Sequence, residues 1–136
     1  SDLDIALYSG HGEFPRIVIS PGNPEEAFSD GILSLNLADI YQCPVIILSD
    51  FQLGQSEYSI PIPKYNSISI DRGKLVSQEE LDKSQDNYFP RYQFVEDGIS
   101  PRTLPGQEKG LFYTSGVEHN EFGYTDTSPE VRRKIR

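Results

Sequence analysis

Two short polar stretches each follow an apolar run: Ser20-Pro21-Gly22-Asn23 after residues 16–19, and Ser49-Asp50 after residues 45–48. If those runs are parallel strands, the polar stretches sit at their carboxyl ends, where an open α/β sheet leaves a crevice for ligands. Ser20, Gly22, Asn23, Ser49 and Asp50 are therefore the cleft-edge candidates. Asp50 either orders its loop by accepting amide hydrogen bonds or faces a ligand. Glu25 and Glu26 are neighbours at a helix start and point apart, which suits capping better than acid–base pairing. Cys43 lies between a helix end and Pro44, at the opposite edge, and reads as a small buried apolar group. His11 and His119 lack the spacing of a zinc motif. The stretch Glu118-His119-Asn120-Glu121, flanked by Gly116 and Gly123, reads as a solvated loop or subunit contact rather than a ligand set. A Ser-His-Asp set can be assembled from Ser20 or Ser49 with His119 and Asp50, but no nucleophile elbow accompanies it. There is no Walker-type glycine loop and no cysteine set for an iron–sulfur cluster. The residues themselves thus assign no catalytic, cofactor-binding or metal site.

The elements that would carry these candidates are legible. Leu3, Ile5, Ala6 and Leu7 suit the last turns of a helix stopped by Gly10. Residues 14–20 form a short apolar, β-branched run, read as a buried strand. After Pro21-Gly22, Asn23 can cap a helix, Pro24 suits its first position, and Glu25 and Glu26 favour its dipole. Asn23 and Glu26 have capping-box spacing. Phe28, Ile32, Leu35 and Ala38 make an apolar stripe through about residue 41. Gly31, costly inside a helix, suggests close approach of a neighbouring element. Pro44 ends the helix, and residues 45–48 form the second strand. Strand, helix, strand at this spacing predicts a right-handed parallel crossover over residues 16–20, 24–42 and 45–49. Continuous apolar runs predict a sheet covered on both faces.

Beyond Asp50 the pattern loosens. Residues 51–66 read as extended, Ser67-Ile68-Ser69-Ile70 as a half-exposed strand, and Asp71-Arg72-Gly73 as a turn. Ser77-Gln78-Glu79-Glu80 has capping-box form. Residues 88–95 alternate aromatic and polar groups, and turn chemistry dominates residues 97–110.

Composition excludes several classes. The 136 residues carry a formal charge of −9, and four of the twelve cations are Arg132, Arg133, Lys134 and Arg136. The rest of the chain repels nucleic acid phosphates and anionic lipid, so neither nucleic acid nor membrane is an expected partner. A basic partner subunit would suit it. No apolar run approaches the ~20 residues needed to cross a bilayer. A single cysteine points to an intracellular, cytoplasmic chain. An apolar fraction of 36% with 11 Gly and 10 Pro is lean for a self-sufficient globule.

The run Gly10-His11-Gly12-Glu13-Phe14-Pro15-Arg16-Ile17-Val18-Ile19-Ser20-Pro21-Gly22-Asn23-Pro24-Glu25-Glu26-Ala27-Phe28 resembles the alpha subunit of 2-oxoacid:ferredoxin oxidoreductases. The resemblance continues at Tyr41-Gln42-Cys43-Pro44-Val45-Ile46-Ile47-Leu48-Ser49-Asp50. It returns at Asp97-Gly98-Ile99-Ser100-Pro101-Arg102 with Pro105-Gly106, and at Glu118-His119-Asn120-Glu121-Phe122-Gly123. It implies an α/β fold: the parallel βαβ portion of a thiamine diphosphate-binding, pyrimidine-type domain, followed by an irregular linker region. Residues 1–96 would complete that domain with its extended segment, and 97–136 would lead to the next domain.

The implied chemistry is oxidative decarboxylation of a 2-oxoacid to an acyl-coenzyme A with reduction of ferredoxin. The implied cofactors are thiamine diphosphate with magnesium and iron–sulfur clusters in the whole enzyme, none of them bound by this stretch alone. A beta subunit would supply the diphosphate and magnesium site. The family's Tyr-Pro-Ile-Thr-Pro and Gly-Pro-Ser-Thr-Gly segments do not occur here. The expectation is therefore a piece of a larger subunit, inactive by itself. A noncatalytic α/β binding or subunit-interaction module is the alternative.

Overall fold

The computed structural model describes residues 1–64 and 68–135. Contacts divide the chain into two compact units, Ser1–Gly73 and Lys74–Arg136. The expected domain boundary near residue 97 concerns the parent subunit, and its position remains a proposal.

In the first unit, helix α1 spans Asp2–Tyr8, with the Ser1 hydroxyl capping it and the Asp4 carboxylate answering in a capping box. Strand β1 (Ile17–Ile19) leads into helix α2 (Pro24–Tyr41), and strand β2 (Val45–Ile47) follows. The strands pair in parallel, Ile17 beside Val45 and Ile19 beside Ile47. The expected strand–helix–strand unit is present, with strands shorter than the apolar runs. Helix α2 starts where Asn23 and Pro24 place it and stops at Gln42, in the left-handed conformation at φ 53°. The Asn23 carboxamide accepts from Glu26 N at 2.9 Å. The Glu26 carboxylate, however, reaches Gly22 N at 2.8 Å, one residue before the cap. The expected reciprocal box is thus displaced by one position.

Three further expectations need correction. Gly31 marks no close approach, since a Cβ there would meet no atom within 4 Å. Of the predicted stripe, Phe28, Ile32 and Ala38 are half-buried, but Leu35 is 71% exposed, with Ser34 buried beside it. The strands are not covered on both faces among the described residues: Ile17, Val18, Ile19, Val45 and Ile46 are half-buried and Ile47 is exposed. Two strands with α2 packed on one of them do not supply two covering layers.

Downstream, Phe51–Gln55 is a short helix, α3, where an extended segment was expected. Residues 68–70 form no strand, and Ser67 lies outside the described residues. The Asn36 side chain instead holds this segment against α2, donating to Ser69 O at 2.8 Å and accepting from Asp71 N at 3.0 Å. The Asp71-Arg72-Gly73 turn forms as predicted, Gly73 N donating to the Asp71 carboxylate at 2.9 Å.

The second unit contains helix α4 (Gln78–Asp82) and helix α5 (Pro129–Ile135). The Ser77–Glu80 capping box is present in both directions. Residues 88–95 form no strand, yet their amides are paired: Phe89 N donates to Leu111 O at 2.7 Å and Tyr92 N to Glu121 O at 2.9 Å. Leu81, Phe89 and Val131 are the buried apolar residues, joined by Thr103, whose hydroxyl donates to Gly110 O at 2.7 Å.

Candidate functional site

Parallel pairing brings the two polar stretches to one edge. Leu48 N donates to Ile19 O at 2.8 Å, continuing the ladder past β2. The Ser20 hydroxyl then donates to Leu48 O at 3.2 Å, tying the first loop to the second. Gly22 and Asn23 lead into α2 through the bonds to Glu26. The Asp50 carboxylate accepts from Leu53 N at 2.6 Å and caps α3, and the Ser49 hydroxyl leans on Asp50 O at 3.4 Å. Ser20, Gly22, Asn23, Ser49 and Asp50 are all exposed.

Each of the five thus has a local structural bond. Asp50 orders a loop, one of the two roles its sequence position allows. The amides opening α2, which would otherwise favour an anion, are taken by Asn23, with Glu25 and Glu26 in the first turn. The two carboxylates of that first turn would repel a bare diphosphate from the opening of α2.

The opposite edge is built differently. Arg16 donates to Ala6 O at 3.2 Å and to Ser9 O, and its guanidinium lies 4.1 Å from the centre of the Phe14 ring. These contacts fasten residues 9–16 to the carboxyl end of α1. His11 and Glu13 are exposed there, and Cys43 is half-buried.

The Glu118–Gly123 stretch is not a free loop. Asn120 N donates to Tyr124 O and Gly123 N to Asn120 O, both at 2.9 Å, while the Asn120 carboxamide oxygen accepts from Phe122 N and Tyr124 N. Glu121 accepts from Phe94 N at 2.9 Å, and Glu118 pairs with Arg132 at 3.0 Å. His119 stacks on Tyr92 at 4.0 Å between ring centres, with Nδ1 donating to the Asn120 carbonyl at 3.1 Å. Gly123, at φ 81°, lies where any Cβ would overlap the Tyr113 carbonyl. An Asn three residues before a Gly is an Asx-turn signal, which could have revealed this in the sequence. Helix α5 also went unforeseen, although Ser128-Pro129-Glu130 followed by Arg132-Arg133-Lys134 carries an N-terminal proline, an acidic first turn and a basic last one.

Among the described residues no group of three or more His, Cys, Asp or Glu is placed to hold a metal ion. One cysteine cannot supply the thiolates of an iron–sulfur cluster. The residues present therefore do not fit magnesium or a cluster. No helix among them is long and apolar enough to cross a membrane.

A parallel βαβ unit whose polar loops meet at one edge is a segment of an α/β ligand-binding domain. All of residues 1–136 match the family of pyruvate flavodoxin/ferredoxin oxidoreductase thiamine diphosphate-binding domains, and the chain belongs to that family. It is 44% identical over 126 residues to the alpha subunit of 2-oxoacid:ferredoxin oxidoreductase 1 of Sulfurisphaera tokodaii, covering 91% of this chain and 19% of the relative. It is 45% identical over 139 residues to the corresponding subunit of Saccharolobus solfataricus, covering 99% and 21%. A 2-oxoglutarate:ferredoxin oxidoreductase from Magnetococcus marinus, solved with 2-oxoglutarate, coenzyme A and succinyl-CoA bound, superposes with a TM-score of 0.84 at 38% identity, covering 98% of this chain and 22% of that one. The chain spans about a fifth of the length of these relatives.

Proposed function

We propose that this chain is part of the alpha subunit of a 2-oxoacid:ferredoxin oxidoreductase. The whole enzyme converts a 2-oxoacid to an acyl-coenzyme A and passes the electrons to ferredoxin. The observation that carries the reading is the 0.84 TM-score at 38% identity to an enzyme named for that reaction. The partners are then a beta subunit, ferredoxin and coenzyme A, and the setting is cytoplasmic. Residues outside this chain would hold thiamine diphosphate with magnesium and the iron–sulfur clusters, which would supply carbanion stabilisation and electron acceptance when bound. No step is routed through side chains of this chain. Its part is to hold the parallel unit and its loops in shape, with residues from 97 onward leading to the next domain.

The carboxyl edge, Ser20 to Asn23 with Ser49 and Asp50, is proposed to border the cleft of the assembled enzyme. The whole enzyme, loaded with thiamine diphosphate and given coenzyme A, should reduce ferredoxin or a dye only when a 2-oxoacid is present. No reduction with any of pyruvate, 2-oxobutyrate or 2-oxoglutarate would sink the reading. Within that enzyme, Asp50→Asn should lower turnover more than His11→Asn, with both variants folded. The reverse order would show that the edges are assigned the wrong way round.

A further inference from the structure

Residues 74–136 contain no Trp, Met or Cys. With the thiol and thioether that oxidants ordinarily reach first absent, phenols are the most easily oxidised groups of this unit. All four of its tyrosines are in ring contacts, and Tyr113 is the centre. Its ring lies 4.8 Å from that of Tyr88, tilted by 47°, and 5.0 Å from that of Tyr124, tilted by 35°. Tyr92 is engaged otherwise, stacked on His119 with its hydroxyl 2.9 Å from Thr114 Oγ1. In the first unit, Tyr8, Tyr41 and Tyr58 touch no other ring among the described residues.

The backbone holds residues 113 and 124 beside each other. Gly123 lies against the Tyr113 carbonyl so closely that no Cβ would fit. On the other flank, the Ser115 and Thr125 hydroxyls meet at 3.1 Å. Phe89 N, donating to Leu111 O at 2.7 Å, brings the Tyr88 segment to the same place. The stretch between the paired rings, residues 114–123, contains Glu118–Gly123.

We infer that Tyr113 and Tyr124 are a site of oxidative modification, closing a dityrosine bond that locks residues 114–123. The reagent is a one-electron oxidant of the inorganic radical class, such as carbonate radical. Each phenol gives one electron to an oxidant and its hydroxyl proton to water. The two phenoxyl radicals then pair their electrons in a bond between ring carbons ortho to oxygen. The hydrogen on each of those carbons moves to its own oxygen, restoring both phenols. Two hydrogens are lost overall, and two oxidant molecules are each reduced by one electron. Ring contact supplies the proximity that lets coupling outrun reaction with another protein molecule.

The test uses the whole purified protein, irradiated with tris(bipyridyl)ruthenium(II) and persulfate. Proteolysis at glutamate cuts after Glu118 and Glu121, so residues 113 and 124 remain in one product only when joined. Mass spectrometry should find that product, lighter by two hydrogens than the sum of its peptides, with dityrosine fluorescence. Tyr113→Phe and Tyr124→Phe, which keep the rings and the packing, should each abolish it. Closing the loop should slow amide exchange within residues 114–123 by about threefold or more. Irradiation that oxidises other tyrosines without yielding the joined product would overturn the inference. Exchange in the cross-linked protein equal to that of the untreated protein would overturn the lock. Neither readout depends on turnover, so both are separable from failure of the enzymatic reading.

Discussion

In residues 1–73 the backbone is bonded mainly to itself: α2 runs for eighteen residues and two strands share a parallel ladder. In residues 74–136 the helices are five and seven residues long. There, side chains reinforce scattered backbone pairs such as Phe89 N to Leu111 O. Lys74 bridges the Asp97 carboxylate at 2.6 Å and Ile99 O at 3.0 Å, and Gln107 accepts from Leu104 N while donating to Val76 O. Lys109 donates to the carbonyls of Asp82 and Ser84 beyond α4. A ladder distributes its strength over many equivalent bonds. A stitched loop concentrates it in single residues, so point substitutions should cost more in the second unit.

Gly123→Ala should be the most damaging change, since it combines a positive φ with overlap against a backbone carbonyl. A loss of about 3 kcal/mol or more is expected, read as lost amide protection of residues 88–126 in the whole subunit. A cost near zero would show that the second unit spreads its strength as widely as the first. Glu121→Ala removes the acceptor of Phe94 N and should cost about 1–2 kcal/mol, with Glu121→Gln recovering most of it in denaturant titration. In the first unit, Asn23→Ala should cost only about 1 kcal/mol, because the Glu26 bond to Gly22 survives. Losses equal to those of Gly123→Ala would refute the distributed character of that unit.

Gly31→Ala should be neutral or stabilise by up to about 1 kcal/mol, measured as a thermal midpoint. A marked fall confined to the assembled enzyme would reveal an outside element against α2.

The smallest effect concerns pH. The carboxyls of Glu80, Asp97 and Asp126 lie below their usual values, held there chiefly by the Ser77 amide, the Lys74 ammonium and the Ser128 amide respectively. A lowered folded-state pKa contributes stability that is complete above the unfolded value and is lost as pH falls through the folded one. The loss should therefore begin near 4.5 for Glu80 and 3.8 for the two aspartates. Amide exchange on acidification should show residues 74–136 opening in that window, and Asp97→Asn should flatten its share. Exposure screens all three, so the slope is shallow.

The signals legible in the order of residues are local or periodic. Caps declare themselves within four residues, so Asn23-Pro24 and Ser77–Glu80 place two helix starts. Apolar runs separated by a helix-length interval identify the parallel unit, because side-chain period and chain reach leave few other connections. The motif runs, taken in order, carried the family. Only the tertiary structure decided which polar residues were already occupied. Glu121, in a stretch that reads as a solvated loop or subunit contact, is bound to the backbone of residues 92–94, a partner 27 positions from it in the case of Phe94. Asn36 clamps a segment more than thirty residues away. Such bonds leave no local spacing signal, because they depend on where distant loops converge. Exposure likewise belongs to the fold: Leu35 is exposed and Ser34 buried because the orientation of α2 against β2, rather than the residue types alone, determines which side is covered.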